Sequence, residues 1–395
     1  MREKKYQIAY IVIFCILIYL PLLFFNRDPE AISFLENKKL ASMPEITKIS
    51  ELNANLINDI ENYIDDNIGF KQKAIEYNLA FMYQVFDKLD INNYIKGKCG
   101  NIFYTNNGYG IKVWQGEIRY SEEQKDDFVD TLLQMNNKIQ DNGGKLVLMG
   151  IPDKENIYPE LYPAYIKRIK SNTQLDELLT DIRNKTDVCV LPMKEKLLEK
   201  KNELGTENID DYLYYKTFDS THWNMKGAWV GYNVLMDSLN KYGIIDRVKE
   251  NEVILTRKNV QTLEFLQKSE LLKKAIYLPD VKYDYSFSNC ENIVRVYDVP
   301  EEYELKDGDI YFHYQNNLLN NGKDILIIGD SYIYSSLILP MLGKSFENVY
   351  FIQSNAEQDV ELYKSIRPDI VVYEFVERAF YFDVAKNMMQ LFGEI

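Results

Sequence analysis

Histidine is almost absent from this chain. His222 and His313 are the only two in 395 residues, so any step that needs an imidazole near neutral pH must use one of them. With so few imidazoles, no zinc or two-metal ligand set can be assembled. Cysteine is scarce as well. Of four, Cys15 lies in an N-terminal apolar run, and the spacing of Cys99, Cys189 and Cys290 supports no disulfide framework. A Cys99–Cys290 bridge stays open; three free thiols is the plainer expectation. Basic residues are outnumbered, 46 Lys and Arg against 60 Asp and Glu, and the resulting charge of −14 argues against a nucleic-acid ligand. No Gly-rich loop opens a helix after a strand, so no nucleotide site and no cofactor is expected.

What the chain does have begins at its N-terminus. Tyr6 to Asn26 carry no charge, and Ile8 to Phe25 are almost wholly apolar. Roughly 20 such residues cross a bilayer core as a helix. Arg2, Lys4 and Lys5 precede the run, whereas Arg27 is followed by Asp28 and Glu30. The positive-inside rule then places the N-terminus in the cytoplasm and the remainder outside. No small-x-small cleavage pattern follows, which favours an uncleaved anchor over a signal peptide.

Residues 1–27 are therefore expected to be a cytoplasmic tip and transmembrane anchor, and 28–118 a membrane-proximal helical cap. The cap opens at Glu36, with helices through Ile57–Ile64 and Gln72–Asp87 and a hairpin over Gly97–Tyr104. From 119 to 395 the pattern alternates. Helices are expected over Glu122–Asp141, Thr173–Thr186, Gly227–Leu239 and Glu357–Ile366. Apolar strands are expected over Lys145–Gly150, Asp187–Leu191, Asp324–Ile328, Asn348–Ile352 and Asp369–Phe375. Apolar strands separated by helices mean an α/β fold with a parallel sheet covered on both faces. The tyrosine- and charge-rich segment at about 242–322 breaks the rhythm and reads as an insertion.

Two short stretches carry chemistry. In Asp219-Ser-Thr-His222, a carboxylate three residues before the imidazole can accept the Nδ1 proton and leave Nε2 as a general base. In Gly329-Asp330-Ser331, a serine follows an apolar strand where the chain turns into a helix, with backbone N–H groups free to hold an oxyanion. Together they supply a Ser-His-Asp set: Ser331 as nucleophile, His222 as base, Asp219 as orienter. Asp330 reads as a turn-stabilising residue, and His313, with no ligand partners in spacing, as structural. Lys154, Trp223, Asn224, Arg378 and Tyr332 are candidates for contacting substrate near strand ends. Plainer readings stand beside them: ion pairing for Lys154 and Arg378, packing for Trp223, helix capping for Asn224.

These motifs resemble the SGNH hydrolase superfamily, but in reversed order, since ordinary members carry the serine strand first and the histidine turn last. Starting the chain at Asp324 restores that order. A permuted SGNH domain behind a membrane anchor is similar to the AlgX/AlgJ-type alginate O-acetyltransferase family. Further agreements are Leu40-Ala-x-x-Pro44, Tyr63-x-x-Asp66-Asn-x-Gly-Phe-Lys71 and Gly97-Lys-x-Gly100. Others are Pro152-Asp-Lys154-x-x-x-Tyr158-Pro159, Tyr214-Tyr-Lys-x-x-Asp219, His222-Trp223-Asn224-x-x-Gly227-Ala228 and Glu377-Arg378. One departure is plain: the family commonly places its Asp two residues before the His, where this chain has Ser220. The superfamily's Gly and Asn oxyanion blocks are not recognisable.

The resemblance implies a flavodoxin-like, circularly permuted domain outside the membrane. It also implies an O-acetyltransferase acting through acetyl-Ser331 on a cell-surface or secreted polysaccharide. A membrane-bound O-acyltransferase would be the acetyl donor. Two alternatives share the sequence: a carbohydrate acetylesterase of the same fold, and a non-catalytic glycan-binding or scaffold subunit of an export complex.

Overall fold

The computed structural model describes residues 2–28, 30–35, 38–44, 54–91, 93–261, 264–301, 303–353 and 356–394. Glu36, where the cap was expected to open, lies outside them. The chain forms two compact units, Met1–Ile95 with Thr262–Leu278, and Lys96–Gln261 with Pro279–Ile395.

In the first unit, α1 (Arg2–Leu23) is long and apolar enough over Lys4–Leu23 to cross a membrane. It is followed by α2 (Ala54–Asn67) and α3 (Lys71–Phe86). The Tyr63-to-Lys71 motif is a hydrogen-bond hub. Asp66 accepts from the Lys38 ammonium at 2.7 Å and the Ala41 N–H at 3.0 Å, and Asn67 bonds the Ala41 and Tyr63 carbonyls. Residues 262–278 belong here rather than with the second unit because the short helix Glu270–Ala275 packs on α3. Its cap residue Ser269 donates to the buried Glu76 carboxylate at 2.8 Å, and Leu272 is fully buried.

The second unit is built on one seven-stranded sheet. Its helices include α4 (Glu122–Asp141), α5 (Gln174–Lys185), α6 (Met225–Leu239), α7 (Ser331–Tyr334), α8 (Ala356–Ile366) and α9 (Phe382–Gly393). Its strands are β1 (Lys145–Ile151), β2 (Cys189–Val190), β5 (Ile293–Val296), β6 (Tyr311–Asn316), β7 (Asp324–Gly329), β8 (Asn348–Gln353) and β9 (Ile370–Val376). A separate hairpin pairs β3 (Val253–Gln261) with β4 (Pro279–Phe287). The spatial order is β5-β6-β8-β7-β9-β1-β2. Five strands, β8-β7-β9-β1-β2, are parallel. Counted from β7 in the cyclically shifted chain, that is the 2-1-3-4-5 order of a flavodoxin-like sheet. Its topological switch point falls between β7 and β9.

The helices form for local reasons. Ser121 and Gln124 make a capping box at the start of α4, and Thr173 and Asp176 make another at α5. Phe128, Leu132, Met135 and Ile139 of α4 bury one stripe against Leu146 and Leu148 of β1 and Met388 and Phe392 of α9. The opposite face of β1 is covered by α6, where Met149 meets Gly231. Burying one such side chain is worth about 1.5–3 kcal/mol.

The segment at 242–322 is not a detached insertion. Strands β5 and β6 extend the main sheet, β6 lying antiparallel to β8 with His313 opposite Tyr350. Tyr311–Asn316 is mostly half-buried and polar, as an antiparallel strand near a sheet edge allows. Expected strand 187–191 shortens to Cys189–Val190, ending before Pro192. All four cysteines are free.

Candidate active site

The site is assembled at the carboxyl end of β7, at the switch point. Gly329 ends the strand because a side chain there would put its Cβ 2.5 Å from Oε2 of Glu374 on β9. That same oxygen accepts the Asp330 N–H at 2.8 Å. Asp330 caps α7: Oδ1 accepts from the Tyr332 N–H at 2.8 Å, and Oδ2 from the Val376 N–H at 3.0 Å. The turn is thereby fixed to β9 at two points, and Ser331 is left as the first helical residue with its side chain outward.

The base comes from the loop before α6. Its two arms form a short ladder, with the Asn224 N–H on the Leu213 carbonyl at 2.9 Å and the Tyr214–Trp223 bridge beside it. Asp280 on β4, itself buried, accepts from the Thr217 and Phe218 N–H groups at 2.6 and 2.8 Å. The loop tip then brings Asp219 Oδ2 within 2.8 Å of His222 Nδ1, and His222 Nε2 within 2.7 Å of Ser331 Oγ. Thr221 Oγ1 donates to Asp219 Oδ1 at 2.5 Å and lies 2.8 Å from Nδ1. Burial acts to raise the Asp219 pKa, but hydrogen bonds from His222 and Thr221 outweigh it and hold the carboxyl at about 2. Ionised Asp219 fixes the tautomer with hydrogen on Nδ1, leaving Nε2 able to take a proton from Ser331. A cleft of about 150 Å³ opens beside the imidazole, lined among others by Tyr215, Phe218, Met225, Lys282, Ser335 and Ser336.

Of the five residues expected to contact substrate, Trp223 and Asn224 line this cleft, and all five hold hydrogen bonds within the protein. Lys154 is buried and donates to the Ile102 and Lys216 carbonyls, both at 2.9 Å. Burial lowers its amine to about 7. Asn224 caps α6, accepting from the Lys226 and Gly227 N–H groups and donating to the Tyr212 carbonyl. Arg378 Nη1 donates to Asp153 at 2.6 Å and to the Tyr332 hydroxyl at 3.2 Å. Tyr332 in turn donates to the Thr221 carbonyl at 2.5 Å, and the Trp223 indole N–H donates to the Tyr332 carbonyl at 3.1 Å. Tyr332 thus ties the nucleophile helix to the base loop from both its ends. Sequence puts these residues near strand ends; it does not say that their side chains point inward.

Three further residues of the site were not singled out in sequence. Glu374 and Asp280 act over separations of 44 and 62 residues with no motif to mark them. Thr221 lies inside the base motif, but nothing in its spacing separated it from a spacer. Burial, reinforced by the neighbouring Asp330 carboxylate, pushes Glu374 well above the ordinary carboxylate range.

Comparison with known proteins agrees with this architecture. The family model described as an SGNH hydrolase-like domain, acetyltransferase AlgX, matches residues 115–335, more than half of the chain. The chain belongs to that family. The AlgX-family match contains both His222 and Ser331. Among solved structures, Bacillus cereus PatB1 with a sulfonyl adduct is similar at 16% identity and TM-score 0.50, over 75% of this chain and 97% of that one. A DHHW family protein from Eubacterium siraeum gives 14% identity and TM-score 0.48, over 76% and 96%. The O-acetyltransferase domain of Pseudomonas putida AlgJ gives 13% and 0.44, over 75% and 99%. At such identities the PatB1 likeness speaks to the fold. No curated protein sequence matches the chain.

Proposed function

We propose that this chain is a membrane-anchored, extracytoplasmic O-acetyltransferase that moves acetyl groups through Ser331 onto hydroxyls of a cell-surface or secreted polysaccharide. The observation that carries the reading is the unbroken hydrogen-bond series from Asp219 through His222 to Ser331. Ser331 Oγ attacks the acetyl carbonyl while Nε2 takes its proton; the imidazolium then protonates the leaving group as its bond to the acyl carbon breaks. A sugar hydroxyl next enters, gives its proton to Nε2 and attacks acetyl-Ser331. Collapse of that adduct releases the sugar ester and returns the proton to Oγ. Asp219 stays ionised and stabilises the imidazolium in both halves. The Ser331 N–H, which meets no acceptor among the described residues, is the proposed oxyanion donor.

Membership of an acetyltransferase family and the apolar α1 support transfer at a membrane. Outside it there is no pool of acetyl-CoA, so a membrane-bound O-acyltransferase is the proposed donor. Anchoring by α1 would raise the local concentration of the domain at that partner's outer face. The test incubates the full-length chain with p-nitrophenyl acetate and candidate oligosaccharides. Acetylated oligosaccharide that disappears with Ser331→Ala supports the proposal. Release of acetate alone, with every acceptor left unmodified, would favour the esterase.

A further inference from the structure

Helix α3 exposes an apolar face along its whole length. Phe70, Ala74, Tyr77, Phe81 and Val85 recur at helical spacing on one side. Four of them are large and open to solvent, Phe70 by 48%, Tyr77 by 65%, Phe81 by 54% and Val85 by 58%. Phe86, 61% exposed, packs edge-on to Phe81 and widens the stripe. The opposite face is already occupied, with Glu76, Leu79 and Ala80 buried towards the Glu270–Ala275 helix. An amphipathic helix normally buries its apolar stripe, and a contiguous exposed one marks an interaction surface.

The position of this face identifies its occupant. The turn before α3 is fastened to the last turn of α1. The Gly69 N–H donates to the Pro21 carbonyl at 3.0 Å, the Asn26 N–H to the Asn67 carbonyl at 2.8 Å, and Phe24 packs on Phe70 with centroids 4.8 Å apart. A side chain at Gly69 would place its Cβ 2.5 Å from the Pro21 oxygen, so the approach is close. The stripe therefore starts level with the end of the apolar span and continues for ~24 Å at 1.5 Å per residue. Its chemistry suits a bilayer surface. Aromatic side chains dominate it, and the only charge exposed between Phe70 and Phe86 is Lys73, in a chain where acids outnumber bases.

We propose that this face of α3 lies in the headgroup–acyl boundary of the membrane that α1 crosses, making the anchor two-part, one helix through the bilayer and one on it. The proposal rests on the membrane-anchor reading of α1. It is tested on the full-length chain, carrying an N-terminal tag, in native membranes. Photoreactive p-benzoylphenylalanine is placed at Tyr77 or Phe81, with Tyr297, exposed in the other unit, as control. An unchanged thermal unfolding profile identifies the labelled chains that are folded. Phospholipid adducts at 77 and 81, at least fivefold above those at 297, are expected. Adducts with protein in place of lipid, or lipid yields no higher than at 297, would overturn the proposal. Loss of the tag by cleavage after α1, with lipid adducts still formed at 81, would remove the anchor reading and leave the α3 surface standing. A retained tag without lipid adducts would do the reverse.

Discussion

The molecule's two histidines stand in opposite surroundings. His222 lies on a loop tip at the carboxyl end of the central strand β7, between a carboxylate at 2.8 Å and a serine hydroxyl at 2.7 Å, beside a cleft. His313 lies inside β6, with Nε2 on the Asn348 amide oxygen at 3.0 Å and its ring stacked on Tyr350. Burial lowers the His313 pKa and keeps that ring neutral, with a neutral amide as its partner. An imidazole becomes reactive through what faces its two nitrogens. A carboxylate on one and a nucleophile on the other make a base; an amide and a stacked ring make a packing residue.

Breaking the first arrangement should have the largest effect. Ser331→Ala and His222→Ala are each expected to lower acetyl turnover by about 10⁶-fold, because nucleophile and base act as a unit, and the double variant should lose little more. Asp219→Ala should cost about 10²–10⁴-fold, since orientation and imidazolium stabilisation are lost while both reacting groups remain. Steady-state hydrolysis of p-nitrophenyl acetate measures all three. Wild-type rates in Asp219→Ala would show that another group orients His222.

Thr221 sharpens the comparison on a finer scale. Thr221→Val removes the donor to Asp219 Oδ1 and should reduce kcat by about three- to tenfold with little change in KM, in line with ~1 kcal/mol for one hydrogen bond. Thr221→Ser should restore it. At the other histidine, His313→Leu should leave turnover unchanged and destabilise the fold by about 1 kcal/mol, because the half-buried Asn348 oxygen loses its donor. Denaturant unfolding gives that value, and a loss of turnover at full folding would place His313 in the chemistry.

Acidity separates the two sites as well. The folded-state value of Asp219, about 2, is below its ordinary 3.8. The stabilisation it contributes is complete above about pH 4 and is lost as pH falls towards 2. Acid unfolding of Asp219→Asn should therefore show a weaker dependence on pH across that window than the parent chain.

How much of this was legible depended on how locally each feature is encoded. The five parallel strands are unbroken apolar runs such as Asp324-Ile-Leu-Ile-Ile-Gly329, because both their faces are buried, and the permuted order followed from them. Strands β5 and β6 were missed because Tyr311–Asn316 alternates polar and aromatic residues, like a loop. Asp219, at the general SGNH spacing from His222 rather than the AlgX/AlgJ-type one, could be paired with it because a carboxylate on the same tight turn is a local relation. Glu374 and Asp280 were not, since each acts on backbone N–H groups that only the fold brings near. Lys154, Asn224, Arg378, Trp223 and Tyr332 show the converse. Trp223 and Asn224 line the cleft beside His222, but the hydrogen bonds that hold all five inside the protein are set by tertiary packing, which their places along the chain do not reveal.

The central claim is that Ser331 carries the acetyl group, and intact-mass analysis after brief exposure of the full-length chain to p-nitrophenyl acetate tests it most directly. The account predicts a gain of one acetyl group, mapped by peptide fragmentation to Ser331 and absent from Ser331→Ala. An adduct on another residue, or the same gain in Ser331→Ala, would contradict it.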